Sequence, residues 1–276
     1  MPTFAERFLM RMKQKIVYCF LIITLVSSCY KVPISGRRQL NLLPESTMIS
    51  MSLTSYKEFL SKHKVSPVND VNSAMIKRVG QNIANAVTTF MRQKKQIKRL
   101  KNYKWEFNLV DDKTVNAWCM PGGKVVVYTG LLPVTQNETA LAVVMGHEIA
   151  HAIARHGNER MSQGLLVQAG GIGLQIFMSD KPKETQDLLL QSYGAASGLG
   201  MLKYSRSHES EADKMGLVFM ALAGYNPQEA VAFWERMSKI GGANVPQILS
   251  THPSDETRIK DIKAYMPTAL KYYKKK

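Results

Sequence analysis

Gly146-His147-Glu148-Ile149-Ala150-His151 is the stretch on which the interpretation of this chain depends. Residues four apart lie on one face of an α-helix, so His147 and His151 can bind one metal ion together. Glu148 follows the first histidine directly and can act as the general base towards a water molecule that the metal polarises. Residues 137–145 begin with an asparagine suited to an N-cap and continue with apolar side chains, which predicts a buried helix. The pattern therefore predicts a hydrolytic zinc site.

A third protein ligand is needed, because a catalytic zinc ion usually has three. Residues 204–216, YSRSHESEADKMG, contain the candidates. On a helix, Glu209 and Asp213 share a face, so Glu209 can bind the metal and Asp213 can accept a hydrogen bond from a ligand imidazole. His208 competes for the ligand role, but on a helix it points about 100° away from Glu209. Glu211 points elsewhere, and we expect it to be solvated.

These motifs resemble those of the gluzincin zinc metallopeptidases of the HtpX and CAAX-prenyl-protease type, most closely their bacterial lipoprotein branch (LoiP/BepA-like). Further segments that carry the resemblance are Gly36-Arg37-Arg38-Gln39-Leu40, Asn116-Ala117 with Pro121-Gly122-Gly123, Thr129-Gly130-Leu131-Leu132, and Thr251-His252-Pro253-Ser254. The resemblance implies an α+β, mainly helical zincin (gluzincin) metallopeptidase fold, with a small antiparallel sheet beside the HExxH helix. It also implies one Zn2+ per chain, bound by His147, His151 and Glu209, with Glu148 as the base.

The region before the zinc motif predicts two helices and a sheet. Apolar residues at helical spacing predict amphipathic helices at 46–62 and 68–92. Alternation predicts a strand at 105–110, and residues 115–128 predict a hairpin that completes a small antiparallel sheet. The family's edge strand corresponds to about Asn116–Cys119. There Asn116 and Ala117 are possible substrate-binding residues, because an edge strand can hold an extended peptide by main-chain hydrogen bonds.

Residues 158–203 are harder to interpret. The segment 164–178 is apolar and glycine-rich, but it is too short and too polar to span a bilayer. We expect buried helices, or a hairpin resting near the membrane, with a turn at 181–185. Helices at 208–223, ended by Gly224, and at 227–239, capped by Asn226, are predicted to follow.

His252 and Arg206 each have more than one interpretation. Pro253 favours an extended conformation at His252, which places its ring on a loop from which it can reach inward. By resemblance, His252 either caps the zinc as a fourth ligand in a resting state or stabilises the oxyanion during turnover. A loop histidine without a catalytic part is the third interpretation. Arg206 either binds substrate carbonyls or pairs with a carboxylate such as Asp213.

The N-terminus predicts export. Basic residues precede the apolar run 16–26, and Leu25-Val26-Ser27-Ser28-Cys29 resembles the lipobox of bacterial lipoproteins. We therefore expect a signal peptide at 1–28, lipidation of Cys29, a lipid-anchored tether at 29–45 and a single metallopeptidase domain at 46–276. An ordinary signal peptide or a short uncleaved anchor is the alternative. By resemblance to enteric lipoproteins, Tyr30 after the cysteine favours the outer membrane, facing the periplasm, in a bacterial cell envelope.

The net charge of +16 on 276 residues invites a nucleic-acid interpretation. We find no recognised nucleic-acid motif and no aromatic residues interleaved with the charge, so no nucleic-acid partner is expected. The basic runs 92–101 and 271–276 fit a membrane with anionic head groups better. A membrane, reached through the lipid anchor and the basic surface, is thus an expected partner.

Taken together, the residues predict a zinc-dependent endopeptidase. The family resemblance implies that it hydrolyses peptide bonds of unfolded, misfolded or stalled cell-envelope proteins, in envelope quality control. The alternative is a non-proteolytic periplasmic holdase or assembly factor for outer-membrane proteins. Glu148 weighs against binding as the sole role, because binding requires no general base.

Overall fold

The computed structural model describes residues 29–240, 248, 252 and 256–274. The predicted signal peptide, 1–28, lies outside the described residues. The elements are β1 (Cys29–Lys31), β2 (Arg38–Leu40), α1 (Glu45–Lys62), α2 (Val71–Gln93), β3 (Glu106–Val110), β4 (Ala117–Met120), β5 (Lys124–Tyr128), α3 (Leu132–Thr135), α4 (Glu138–Ala154), α5 (His156–Phe177), α6 (Lys183–Leu222), α7 (Glu229–Lys239) and α8 (Glu256–Leu270). The chain is mainly helical with small sheets, as predicted.

Helix α4, which carries the zinc motif, lies at the centre of the core. The Asn137 side chain caps its N-terminus by accepting a 2.8 Å hydrogen bond from the Ala140 N–H, as the sequence predicts. Nearly all of its side chains are buried. A helix that is apolar on all sides has to be surrounded by protein. The polar residues of the motif therefore project from a hydrophobic interior.

Helices α4 and α6 are in close backbone contact at two glycines. A β-carbon on Gly146 would lie 3.0 Å from the carbonyl oxygen of Gly216, and one on Gly216 would lie 2.8 Å from the backbone nitrogen of His147. These neighbours are backbone atoms, which cannot move aside unless a whole helix shifts. The two glycines therefore allow α6 to bring its side chains within reach of the histidines on α4.

The three-stranded sheet has the order β3-β5-β4 and packs beside α4. Strands β4 and β5 form the predicted antiparallel hairpin, with Ala117 opposite Val127. Strand β3 instead pairs parallel to β5, with Glu106 opposite Lys124, so the prediction of an all-antiparallel sheet is wrong. Strand β5 is buried throughout and needs a partner on each side. The hairpin fixes β4 on one side, and β3 takes the other.

Residues 156–205 form a helical hairpin, built from α5 and the first half of α6, as one of the two interpretations predicts. Its turn lies at 178–182 and not at the predicted 181–185, because α6 already begins at Lys183. Its position near a membrane stays a prediction. The two arms touch where the Tyr193 hydroxyl donates to the Val167 carbonyl oxygen at 3.0 Å. The alternative prediction of buried helices is wrong, because most side chains of both arms are exposed. The exposed large hydrophobic residues of the hairpin are Met161, Leu165, Leu166, Ile172, Ile176, Phe177, Leu188, Leu189, Leu199, Leu202 and Tyr204. Within the described ranges, no helix combines the length and hydropathy that a membrane span requires.

The segment that the sequence assigns to a tether packs on the folded body from Val32 onward. Val32 is only 1% exposed and belongs to the main core. The Leu42 N–H donates to the Ser162 hydroxyl, and the Asn158 side chain donates to the Leu43 carbonyl, each at 2.8 Å. A tether to a lipid on Cys29 would therefore be short. Lipidation and the domain boundaries stay predictions.

The remaining helices follow the sequence with small shifts. Helices α1 and α2 lie within three residues of their predicted bounds. The predicted helix 208–223 is the C-terminal half of the 40-residue α6, which ends before Gly224 at a φ of 91°. Helix α7 begins at Glu229 and not at 227, because the Asn226 side chain accepts from the Gln228 N–H in a turn that precedes the helix.

Candidate metal and catalytic site

Helix α4 presents His147, Glu148 and His151 on adjacent positions of a buried surface. The Nε2 atoms of His147 and His151 are 3.1 Å apart. His147 and Glu148 are 2% and 3% exposed. The one-turn spacing thus brings both imidazoles to one point, as the sequence predicts.

Helix α6 brings Glu209 to the same point. Its Oε2 lies 3.3 Å from His147 Nε2, and its Oε1 lies 3.4 Å from His151 Nε2. His208, the competing ligand, points away and binds Glu159 with its Nε2 at 2.9 Å. The helical argument for Glu209 over His208 therefore agrees with the structure. Glu211 is not solvated as predicted: it is 6% exposed and binds His156 and Arg37, because its face of α6 packs against α5 and the N-terminal segment.

Asp213 holds the orientation of His147. The His147 Nδ1–H donates to Asp213 Oδ1 at 2.9 Å, which directs Nε2 towards Glu209. Asp213 in turn accepts two hydrogen bonds from Arg258, from Nη2 at 2.6 Å and from Nε at 2.8 Å. The Arg258 guanidinium also lies 3.4 Å above the ring of Trp234.

Sequence reasoning missed Arg258 and Trp234. The structure pairs Asp213 with Arg258, so the suggestion that Arg206 pairs with Asp213 is wrong. The sequence does contain a signal for Arg258: helical spacing places it on the same face of α8 as Ile262 and Met266, which are buried. A charged residue on an apolar helical stripe needs a buried partner.

His252 reaches into the site from the loop before α8. Its Nδ1 lies 2.8 Å from Glu209 Oε2 and 3.2 Å from His147 Nε2, and its Nε2 lies 3.6 Å from Glu148 Oε1. Its carbonyl oxygen accepts from Arg258 Nη1 at 3.2 Å. We refer to His147, His151, Glu209 and His252 as the ligand cluster, since one donor atom from each lies within 4.8 Å of all the others. His252 therefore lies close enough to be grouped with the other three as a possible ligand.

The ligand cluster fits a zinc ion. Donor atoms of a tetrahedral zinc site, at bond lengths of roughly 2.0–2.2 Å, lie about 3.3 Å from one another. Neighbouring donor atoms of the ligand cluster are 2.8 to 3.4 Å apart, and one donor atom from each residue lies within 4.8 Å of all the others. Glu148 Oε1 and Glu209 Oε1 are also buried with no hydrogen-bond partner among the described residues. Buried carboxylate oxygens without partners are costly unless a cation or a water molecule completes the site.

Burial and neighbouring charges shift the pKa values within the site. Burial raises the pKa of Glu148, which makes its carboxylate a stronger base. Burial alone would also raise the pKa of Glu209, but the imidazoles of His147, His151 and His252 hold it well below its usual range. Burial alone would lower the pKa of His147, but the carboxylates of Asp213 and Glu209 raise it to about 9.

The predicted substrate-binding residues lie on two sides of the site. Asn116 directly precedes β4, and its side chain accepts from the Ala117 N–H at 2.9 Å. Strand β4 is an edge strand of the described sheet and packs against α4. Arg206 lines a cavity of about 310 Å3 between α6 and α8, together with Glu209, Leu217 and Ile262. The cavity borders the ligand cluster at Glu209, and the edge strand packs against the helix that carries His147 and His151.

Comparisons with known proteins agree with this chemistry. A family model described as peptidase family M48 matches residues 74–266, more than half of the chain. The mitochondrial metalloendopeptidase OMA1 of Schizosaccharomyces pombe is 32% identical over 242 residues, which is 86% of this chain and 66% of that protein. The human metalloendopeptidase OMA1 is 28% identical over 246 residues, covering 87% of this chain and 46% of the relative. The beta-barrel assembly-enhancing protease of Escherichia coli K12 is 29% identical over 163 residues, or 57% and 33% of the two chains. The chain thus spans about a third to two thirds of the length of these relatives.

Proposed function

This chain belongs to peptidase family M48 and is therefore a zinc metallopeptidase, and we propose that it cleaves internal peptide bonds of misfolded or stalled cell-envelope proteins. The observation that supports this most strongly is the convergence of His147, His151 and Glu209 beside the buried carboxylate of Glu148. Three protein donors with an adjacent general base are the requirements of a zinc hydrolase.

Glu148 is the residue that moves protons in this proposal. When bound, zinc supplies Lewis-acid activation of a water molecule and of the scissile carbonyl. Glu148 removes a proton from that water and then donates it to the amide nitrogen of the leaving peptide. Its Oε1 has no hydrogen-bond partner among the described side chains, so it is available to accept this proton. Burial raises the pKa of Glu148, which favours removal of the proton from the water.

Asp213 and Arg258 act through His147 and do not touch the substrate. Asp213 accepts from Nδ1 and leaves Nε2 as the donor atom for the metal. Arg258 fixes the carboxylate of Asp213 by its two hydrogen bonds and fixes the His252 backbone by a third. Because the same guanidinium binds both groups, displacement of the His252 loop is coupled to Asp213, the hydrogen-bond partner of His147.

His252 is proposed to cap the ligand cluster in the state described here. Its Nδ1 stands among the donor atoms of His147 and Glu209, where a water molecule or a substrate carbonyl would have to bind during turnover. Substrate binding then requires the ring to leave. Oxyanion stabilisation would require a different ring position and remains the competing role.

An extended peptide is the substrate form that the site favours. Strand β4 is the edge strand beside α4 among the described strands, and pairing through main-chain groups does not depend on sequence. Unfolded chains can adopt this extended form, whereas folded domains cannot. The name of one relative associates it with β-barrel assembly, and others are named as mitochondrial. These names support the proposal that this protein binds its substrates in a membrane-bounded compartment.

Attachment to the bacterial envelope through Cys29 completes the proposal. The lipobox-like residues before Cys29 support an outer-membrane lipoprotein that faces the periplasm. Exposed lysines near the end of α2, among them Lys94, Lys95 and Lys98, support contact with anionic head groups. Incorporation of labelled fatty acid into the full chain, and its loss in Cys29→Ser, would establish the attachment. Equal labelling of both proteins would contradict it.

A holdase function is the second candidate, and the exposed apolar side chains of the α5–α6 hairpin favour it. Apolar surface of this extent can bind unfolded chains without hydrolysis. The two candidates predict different behaviour of Glu148→Gln. A protease loses its activity in this variant, whereas a holdase suppresses aggregation as well as the wild type does.

The deciding experiment is cleavage of unfolded casein by the full-length chain, purified in detergent and loaded with zinc. Glu148→Gln is expected to retain zinc and to lose about 10²–10⁴-fold in kcat/KM. A chelator should abolish cleavage by the wild type, and added zinc should restore it. If the zinc-loaded wild type cleaves nothing, or if both proteins cleave equally, the proposal fails.

A further inference from the structure

A second buried group of charged and histidine side chains lies directly behind His151. It consists of Arg37, His156, Glu159, His208 and Glu211, which we call the Arg37 network. Arg37 binds Glu159 through two hydrogen bonds of 2.7 Å and Glu211 through bonds of 2.8 and 3.1 Å. His208 binds Glu159, and its ring stacks on that of His156 at 4.2 Å and 12°. All members except Arg37 are less than 7% exposed.

The Arg37 network touches the ligand cluster at one point. His151 Nδ1 lies 2.9 Å from His156 Nδ1. Because His151 faces the ligand cluster with Nε2, its Nδ1 carries the proton and donates it. His156 Nδ1 must then be the acceptor, so the proton of His156 lies on Nε2. That atom is 3.0 Å from Glu211 Oε2, which is a hydrogen-bond acceptor. The donor and acceptor roles are therefore consistent along the whole chain of contacts.

The two imidazoles on α4 are supported in parallel ways. His147 donates directly to Asp213, which is held by Arg258. His151 donates to His156, which donates to a carboxylate, Glu211, that is held by Arg37. Each of these two hydrogen-bond paths thus ends at a carboxylate that an arginine holds. The path that starts at His151 contains one additional imidazole, that of His156.

The backbone between α4 and α5 is shaped to make this contact. Arg155 has a φ of 62°, in the left-handed region that residues with a side chain seldom occupy. This conformation ends α4 and starts α5 at His156, only five residues after His151. The Arg155 guanidinium lies 3.1 Å from a Glu45 carboxylate oxygen. Without the turn, His156 would continue along α4 and point about 140° away from His151.

We propose that His156, Glu211 and Arg37 are positioning residues for His151, holding its ring so that Nε2 faces the metal. This inference rests on the zinc site proposed above. His151 needs such support because it lies in the last turn of α4, and its side chain is 13% exposed against 3% for His147. Arg37 links the N-terminal segment to the site through Glu211.

Zinc affinity is the primary measurement, made on full-length protein by competition with a chromophoric chelator. His156→Ala is expected to weaken zinc binding about 10–100-fold, the usual cost of losing the partner of a ligand imidazole. The absorption spectrum of the cobalt-substituted protein should change as well, because the orientation of a ligand ring changes. Neither readout depends on turnover.

Two further substitutions separate positioning from folding. In His156→Asn, the amide oxygen occupies roughly the place of Nδ1 and can accept from His151, so zinc affinity should recover to within about tenfold of wild type. In His156→Gln, the amide occupies the place of Nε2, so the bond to Glu211 survives and the one to His151 does not. His156→Gln should therefore bind zinc as weakly as His156→Ala.

His208→Gln is the matched control. It lies in the same network and keeps a donor for Glu159, but it does not contact His151, so its zinc affinity should stay within about twofold of wild type. Wild-type affinity and cobalt spectrum in His156→Ala, or equal losses in His208→Gln and His156→Gln, would overturn the inference. A wild type that binds no zinc would overturn the proposed function along with it.

Arg37→Lys provides the test if the His156 variants fail to fold. Arg37 is partly exposed, and lysine keeps the charge but loses the two-pronged contact with Glu159 and Glu211. We expect a zinc affinity about 3–10-fold below wild type, with a matching change in the cobalt spectrum. An unchanged affinity would show that Arg37 does not act on His151.

Discussion

The ligand cluster and the Arg37 network are built from the same residue types, yet they differ in what completes them. Both are buried, both combine histidines with glutamates, and both receive a glutamate from one turn of α6, Glu209 in the first and Glu211 in the second. In the Arg37 network, a guanidinium lies between the two carboxylates and both of them also meet an imidazole. In the ligand cluster, one oxygen of Glu209 and one of Glu148 have no hydrogen-bond partner among the described residues.

This difference shows why a group of buried histidines and carboxylates is not by itself a metal site. Buried negative charge has to be compensated, and either an internal arginine or an external cation can do so. Arg37 supplies the compensation within the Arg37 network. The ligand cluster has its arginine, Arg258, mainly on Asp213. It therefore retains donor atoms that converge on one point.

The largest expected contrast is between Glu209→Gln and Glu211→Gln. About 10–16 kcal/mol of zinc binding shared among four ligands gives roughly 3 kcal/mol per ligand, so Glu209→Gln should weaken zinc binding at least about 100-fold. Glu211→Gln acts only through His156, and its loss should be about tenfold. Chelator competition on both variants measures the two losses. Equal losses would mean that the two glutamates do not have separate roles.

Removal of the metal should destabilise the protein without disrupting the Arg37 network. At free zinc concentrations about 100–1,000 times the Kd, binding adds about 2.7–4.1 kcal/mol to the free energy of unfolding. Urea denaturation with and without a chelator measures this difference. In Glu209→Gln, the chelator should have almost no effect. A chelator effect of wild-type size in that variant would contradict the assignment of Glu209 as a ligand.

His252→Ala should raise proteolytic activity if the ring caps the site. If the capped state holds about nine tenths of the molecules, its removal increases kcat/KM up to about tenfold. Casein cleavage at low substrate concentration measures the change. His63→Ala is the control, because His63 is far from His252 in the sequence and lies on the other side of the sheet. A fall in kcat at unchanged KM would instead support the oxyanion role.

The smallest predicted effect is a pH dependence of the free energy of unfolding that arises from Glu211 in the Arg37 network. Burial alone would raise the pKa of Glu211 from its usual 4.5, but hydrogen bonds from His156, Arg37 and Ser35 lower it to about 2. Because the folded-state pKa is the lower one, this group stabilises the fold above pH 4.5, and its contribution is lost as the pH falls towards 2. Metal-free Glu211→Gln should therefore lose less stability than the metal-free wild type across this window.

Urea midpoints at the two ends of the window test this prediction. Glu184→Gln, an exposed substitution near the hairpin turn, is the control and should follow the wild type. If Glu211→Gln also follows the wild type, the Glu211 carboxylate is not held by an ion network in solution.

Local spacing accounts for the parts of the fold and site that the sequence predicts well. The cap of α4 by Asn137, the β4–β5 hairpin, and the shared face of Glu209 and Asp213 each depend on residues at most about a dozen positions apart. The helical period and turn chemistry are sufficient at this range. The parallel pairing of β3 with β5 depends on how the intervening chain crosses the sheet, and residue patterns within the strands do not encode it.

Whether a side chain is exposed is harder to predict from the sequence than whether its residue is helical. The arms of the α5–α6 hairpin are apolar and helical, as predicted, but they are exposed because no other described element covers them. Glu211 shows the reverse error: a charged residue predicted to be solvated is buried, because Arg37 meets it from a position 174 residues away. In both cases, the outcome depends on what packs against the helix.

Helical periodicity thus places His147 and His151 on one face of α4, and Glu209 and Asp213 on one face of α6, because side chains one turn apart share a face whatever surrounds them. Zinc chemistry, which requires a third protein ligand, is what joins the two pairs at the level of the sequence. The supporting partners cannot be found in this way. Arg258 reaches Asp213 across 45 residues, and Arg37 reaches Glu211 from the N-terminal segment. Their pairing is decided when α4, α6, α8 and the N-terminal segment pack together, since a buried carboxylate is stable only where the tertiary structure brings a cation or a hydrogen-bond donor to it.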